Sequence, residues 1–129
     1  MKRLVFLFVF LFSLLLTPFA HADEGWVISN YQSDIAIQES GEVRVVETID
    51  VDFKDLDKHG IYRDIPYEYE SNGEKTYTDI SVSSVLQDDK KAKYSKSVQD
   101  GYIRIKIGDP DETISGRHLY VITYLAKGV

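Results

Sequence analysis

The sequence predicts an all-β domain, an antiparallel two-sheet sandwich of about seven short strands with an immunoglobulin-like general architecture, after a cleaved N-terminal signal helix. Beyond residue 22, valine and isoleucine far outnumber leucine and alanine, and all nine tyrosines lie in this part. Such β-branched and aromatic side chains suit a pleated surface and lose rotamer freedom in a helix. Several segments alternate apolar and polar residues, and turn residues separate these segments, as expected for strands of a sandwich.

The first 22 residues have the pattern of a secretory signal peptide. A positively charged start precedes an apolar run over residues 4–16, which is shorter than the roughly 30 Å core of a bilayer requires. Ala20 and Ala22 place small side chains at the −3 and −1 positions of a signal-peptidase site. We therefore predict a signal peptide over 1–22 and an exported β-sandwich domain over 23–129.

The first two predicted strands form a hairpin. In the segment 26–38, Ile35 and Ile37 fall on one face, and Ser40-Gly41 turns the chain into the segment 42–53. There the apolar residues alternate with charged and polar ones, so one face of this second strand should look into the core.

The third and fourth strands are predicted over 61–69 and 75–86. Pro66 removes a backbone donor, which places the third strand at an edge or a bulge. Asn72-Gly73, between the two segments, is the strongest hairpin signal in the chain because both residues tolerate a positive φ.

Three further strands are predicted over 94–98, 102–107 and 118–125. The last is apolar on both faces, which is typical of a central strand. Since the chain ends soon after it, we expect 23–129 to be the N-terminal part of a longer protein, truncated at its C-terminal end.

Two opposite charges are predicted to face inward together. Alternation places Glu47 on the apolar face of the second strand and Arg63 on the apolar face of the third. An isolated buried charge is costly, so we expect a structural ion pair between them, with the arginine fork holding the carboxylate by two hydrogen bonds. The alternative is a bulge near Pro66 that turns one of them to solvent.

Three segments together resemble a known family. They are 40–53, 59–66 with the run His-Gly-Ile-Tyr-Arg-Asp-Ile-Pro, and 103–109 followed by 116–124. In this order they resemble the N-terminal domain of the predicted bacterial membrane proteins called domain of unknown function 2207. The resemblance implies a signal peptide, an exported β domain and a membrane region beyond this chain; it implies no activity and no catalytic residues.

The remaining charged residues offer little catalytic chemistry. The chain has 21 acidic and 15 basic residues, so nucleic acid is not an expected partner. It has no cysteine, and no nucleophile motif accompanies its histidines. Asp109, Asp111 and Glu112 share one turn and are a weak candidate calcium site, although a solvated acidic turn is the commoner explanation.

The sequence therefore favours a non-enzymatic binding, sensing or scaffolding module on the extracytoplasmic face of the bacterial cell membrane. Its expected partners are the membrane, through a C-terminal region absent from this chain, and an unknown protein or envelope polymer. The alternative is an envelope hydrolase that uses paired carboxylates, with calcium as an aid. A hydrolase should have a pocket with converging carboxylates, whereas a binding module should have an apolar patch or an open sheet edge.

Overall fold

The strands of this chain form three antiparallel sheets in a computed structural model that describes residues 25–128. No helix occurs among these residues, which confirms the predicted all-β class. The signal peptide predicted for 1–22, with Ala20 and Ala22, lies outside the described residues. The strands are β1 (Val27–Ile37), β2 (Val43–Asp52), β3 (Ile61–Pro66), β4 (Glu68–Ser71), β5 (Glu74–Tyr77), β6 (Asp79–Gln87), β7 (Lys90–Lys91), β8 (Tyr94–Gln99), β9 (Tyr102–Ile107) and β10 (Arg117–Lys127).

A five-stranded sheet in the order β1-β2-β10-β6-β7 packs against a three-stranded sheet in the order β3-β9-β8. Residues 25–128 form ten strands where about seven are predicted, because the predicted third and fourth strands each divide and Lys90–Lys91 forms the additional strand β7. The backbone N–H of Tyr67 donates to Gly101, and that of Thr78 donates to Tyr67. These bonds direct β4 and β5 away as a separate hairpin. Its turn is Asn72-Gly73, with positive φ at both residues, as predicted.

β10 lies at the centre of the five-stranded sheet, as its apolar residues on both faces predicted. It pairs with β2 on one side and with β6 on the other. Both sheets turn their inner faces to one core, whose fully buried members include Phe53, Ile105, Tyr120 and Ile122.

β1 is more exposed than its predicted place in a sandwich suggests. Ile35 and Ile37 share a face, but their exposed fractions are 66% and 80%. They lie opposite Val45 and Val43 of β2, so they continue the inner face of the large sheet. Because the small sheet has three strands against five, this face of β1 extends beyond its cover.

Gly60, just before β3, and Gly108, just after β9, allow the two backbone segments to approach each other closely at these strand ends. A Cβ on Gly60 would lie 1.9 Å from the carbonyl oxygen of Ile107, and one on Gly108 would lie 1.8 Å from that of His59. Both glycines also have φ in the region that other residues rarely adopt, +142° and +131°. Each lies in one of the segments that carry the family resemblance.

We expect Gly60→Ala to lower the free energy of unfolding by about 3 kcal/mol, because the new methyl meets backbone that cannot yield. The matched control is Gly73→Ala, which has φ +80° but nothing within 4 Å, and should cost only about 1 kcal/mol. Denaturant unfolding measures both. Equal losses for the two variants would contradict a steric requirement at Gly60.

Candidate functional site

Glu47 of β2 and Arg63 of β3 meet between the two sheets. Arg63 donates from Nε to Oε2 at 2.6 Å and from Nη2 to Oε1 at 2.7 Å. Glu47 is 2% exposed and the Arg63 side chain 25% exposed. The structure thus brings together the two charges that alternation placed on facing strands, in the two-bond arrangement that an arginine fork favours.

Two tyrosines complete this site, which we call the Glu47 cluster: Glu47, Arg63, Tyr31 and Tyr124. The Tyr124 hydroxyl donates to Glu47 Oε1 at 3.0 Å, and Arg63 Nη2 lies 3.4 Å from the Tyr31 hydroxyl. The four residues come from β2, β3, β1 and β10, so the cluster joins three neighbouring strands of the large sheet to the edge of the small one.

The cluster keeps Glu47 ionised. Burial alone would raise the pKa of this carboxyl, but the hydrogen bonds and positive charge of Arg63 and the hydroxyls of Tyr31 and Tyr124 outweigh it and hold the pKa below its usual value. The hydrogen bonds to Glu47 likewise raise the pKa of Arg63, against its burial. The pair therefore contributes stability that is present above the ordinary carboxyl pKa and is lost as the pH falls through the lowered one.

Next to the cluster lies an uncovered apolar row that we call the β1 face: Ile28, Tyr31, Ile35 and Ile37. Their exposed fractions are 53%, 48%, 66% and 80%. Each lies opposite an inward residue of β2, so the row is the edge of the core face rather than the outside of the sandwich. At about 3.4 Å per residue it is about 30 Å long.

A shallow cleft runs from the β1 face to the start of β3. Its part beside Tyr31 and Arg63 has a volume of about 260 Å³, and an adjoining part beside Trp26 and Lys58 has one of about 320 Å³. Among residues 25–128, no Asp or Glu lines either part. The described lining of the cleft is therefore apolar and basic, whereas the hydrolase alternative predicts converging carboxylates.

The candidate calcium residues do not form a ligand set. Asp109 pairs with the amino group of Lys93 and accepts a hydrogen bond from the backbone N–H of Asp111. Among residues 25–128, no group of three or more His, Asp or Glu side chains is placed to hold a metal ion.

Sequence reasoning found the two charges of the cluster and missed its tyrosines. Tyr124 falls at an inward position of a strand predicted to be central, and Tyr31 shares a face with Ile35. A buried carboxylate needs more than one hydrogen-bond donor. An inward-facing tyrosine on a neighbouring strand is therefore the sequence feature that could have indicated a second donor to Glu47.

We expect Arg63→Ala to lower the free energy of unfolding by about 3–5 kcal/mol, because it leaves the buried Glu47 charge without its partner. The matched control is Arg104→Ala. Arg104 holds Asp64 by two bonds of 2.7 and 2.6 Å, but on the outer face of the same sheet. Since exposed ion pairs contribute little to the free energy of unfolding, Arg104→Ala should have nearly the same denaturation midpoint as the parent. Equal shifts for both variants would contradict a structural role for the buried pair.

Comparisons with known proteins agree with this fold. A chain in the structure of native yeast LTA4 hydrolase is similar over 81% of this chain, with a TM-score of 0.56 and 11% sequence identity, and this chain spans 15% of it. At that identity the likeness concerns the fold alone. No curated protein matches the chain.

Within residues 25–128 there is no helix able to cross a bilayer. Residues 27–129 match the family described as the N-terminal domain of a predicted membrane protein, DUF2207. The match includes both segments with the paired glycines and all four residues of the Glu47 cluster. The chain belongs to this family, and its sandwich is the N-terminal domain of a predicted membrane protein.

Proposed function

We propose that this chain is a non-enzymatic binding module on the extracytoplasmic face of a bacterial membrane protein, and that the β1 face binds an apolar surface of another envelope protein. The observation that carries the proposal is the row of four large apolar side chains left uncovered along one strand. A contiguous exposed apolar patch is typical of an interaction site.

The chemistry of the β1 face supports a protein as the partner. Three of its four side chains are isoleucine, which offers flat aliphatic area and no hydrogen bond. Tyr31 adds an aromatic ring whose hydroxyl lies beside Arg63, so a polar group lies next to the aliphatic row. Apolar area with a polar group beside it is common at protein interfaces, whereas an envelope polymer would need several hydrogen-bonding side chains.

Export and membrane attachment belong to the same proposal. Its support is the signal-peptide pattern over 1–22 and membership of a family of predicted membrane proteins. Attachment would come from a region beyond residue 129, which leaves the sandwich free to bind outside the cytoplasm.

We expect Ile35→Asp to abolish capture of a specific envelope protein from detergent-solubilised membranes, because a charge in the middle of the β1 face opposes burial of that surface. The matched control is Ala36→Asp, which puts the same charge on the opposite face of the same strand and should leave capture unchanged. Both variants should keep the parent's thermal denaturation midpoint, since both positions are exposed.

Mass spectrometry of the captured proteins decides the proposal. A protein retained by the parent and by Ala36→Asp, and lost with Ile35→Asp, would support it. A captured set that is identical for all three, or retention on insoluble cell wall in place of a protein, would contradict it.

A further inference from the structure

The two main sheets end in four edge strands, and three of these are protected against further pairing. β7 has only two residues, both lysine, and it covers β6 at Leu86 and Gln87. The rest of β6 has a register shift where it pairs with Thr123 and Tyr124 of β10, and such an irregularity also opposes further pairing. β8 turns Lys96 inward, opposite Ile105 of the core. Short length, lysine and inward charge are known means by which proteins prevent edge-to-edge association.

The third protected edge is that of β3. The Tyr67 N–H donates to the Gly101 carbonyl, just before β9. The even-numbered residues of β3 therefore turn their backbone N–H and C=O groups away from β9, to the outer edge of the small sheet. There the Asp64 carbonyl accepts a hydrogen bond from Arg63 Nη1, and the Pro66 carbonyl accepts one from the Tyr69 hydroxyl at 3.2 Å. Pro66 itself has no N–H, so little of this edge is left for another strand.

Among the described residues, the edge of β1 has none of these protections over 30–37, since its register shift lies before this stretch, between Ile28 and Asn30. The strand has eleven residues with no proline, no lysine and no inward charge, and Asp34 is its one charged residue. The Gln38 N–H donates to the Glu42 carbonyl in the hairpin. The even-numbered residues of β1 from 30 to 36 therefore turn their backbone N–H and C=O groups towards β2. The N–H and C=O groups of Tyr31, Ser33, Ile35 and Ile37 therefore point to the open side.

We propose that β1 pairs antiparallel with β1 of a second copy of this chain, with Ser33 on the twofold axis, so that the two five-stranded sheets join into one. This inference uses the edge of β1 and does not depend on a partner for the β1 face.

The side chains of β1 are complementary to themselves in this register. Tyr31 of each copy lies opposite Ile35 of the other, an aromatic and β-branched pair of the kind that stabilises sheets. Asp34 lies opposite the amide of Gln32, and the two Asp34 carboxylates are about 8 Å apart, a distance at which salt screens them. A shift of the axis to Asp34 would oppose the two carboxylates directly, so the lone charge disfavours that register.

The absence of cysteine in this chain allows a direct test. In a hydrogen-bonded antiparallel pair the two Ser33 Cα atoms would lie about 5.5 Å apart, within the range of a disulfide. We expect Ser33→Cys to form a disulfide-linked dimer under mild oxidation at least about tenfold faster than Ser97→Cys, because pairing raises the effective thiol concentration. Ser97 is the matched control, a serine in the exposed edge strand β8.

A second variant tests the same pairing without a crosslink. Ser33→Pro removes one N–H from the open edge and no bond to β2, so it should keep the fold and shift the protein to monomer in sedimentation equilibrium. Ser33→Ala keeps that N–H and should associate as the parent does.

Three results would overturn the proposal. They are a parent protein that remains monomeric up to about 1 mM, equal crosslinking of the two cysteine variants, and a dimer that Ser33→Pro leaves intact. Loss of partner capture with Ile35→Asp does not test this pairing, because that variant changes both the β1 face and the Tyr31–Ile35 contact between the copies. Ser33→Pro separates the two proposals, because it alters the edge and keeps all four side chains of the β1 face.

Discussion

The buried pair of Glu47 and Arg63 fixes how the two sheets of this domain lie against each other. Its two hydrogen bonds join β2 to β3, and the hydroxyl of Tyr124 adds a third donor to the same carboxylate. Because a charge removed from water must keep its partner, the facing strands have one register that satisfies both groups. Apolar contacts alone would tolerate a slip of the sheets, whereas this pair does not.

The exposed β1 follows from the same arrangement. The pair places β3, an edge strand of the small sheet, opposite β2. Its contact with β1 is made by Arg63 Nη2, which lies 3.4 Å from the Tyr31 hydroxyl. The remaining apolar side chains of β1 are then left without cover. In the strand order of residues 25–128, the outer edge of β1 has no partner strand. A single strand thus has both an apolar face and an open edge, and these are two kinds of surface through which binding or assembling modules interact.

Much of this architecture could be predicted from local patterns. Alternation in β2 and β3 gave the inward faces and hence the two charges, and Asn72-Gly73 gave the hairpin turn. What could not be predicted depends on long-range packing. The division at Tyr67 and Thr78 depends on the bond from Tyr67 to Gly101 and on the bond from Thr78 to Tyr67. The exposure of Ile35 and Ile37 depends on how many strands the opposite sheet has. The pairing of Asp109 with Lys93 could not be predicted for a similar reason, since Lys93 is distant in sequence from Asp109.

The central claim is that Glu47 and Arg63 act as one unit, and a double-mutant cycle tests it most directly. The free energies of unfolding of Glu47→Leu, Arg63→Met and the double variant are compared with that of the parent. If the pair is a unit, each single variant leaves an uncompensated buried polar or charged group, and the double variant is more stable than either single variant. A double variant whose loss equals the sum of the two single losses would show that the residues act independently and would contradict the account.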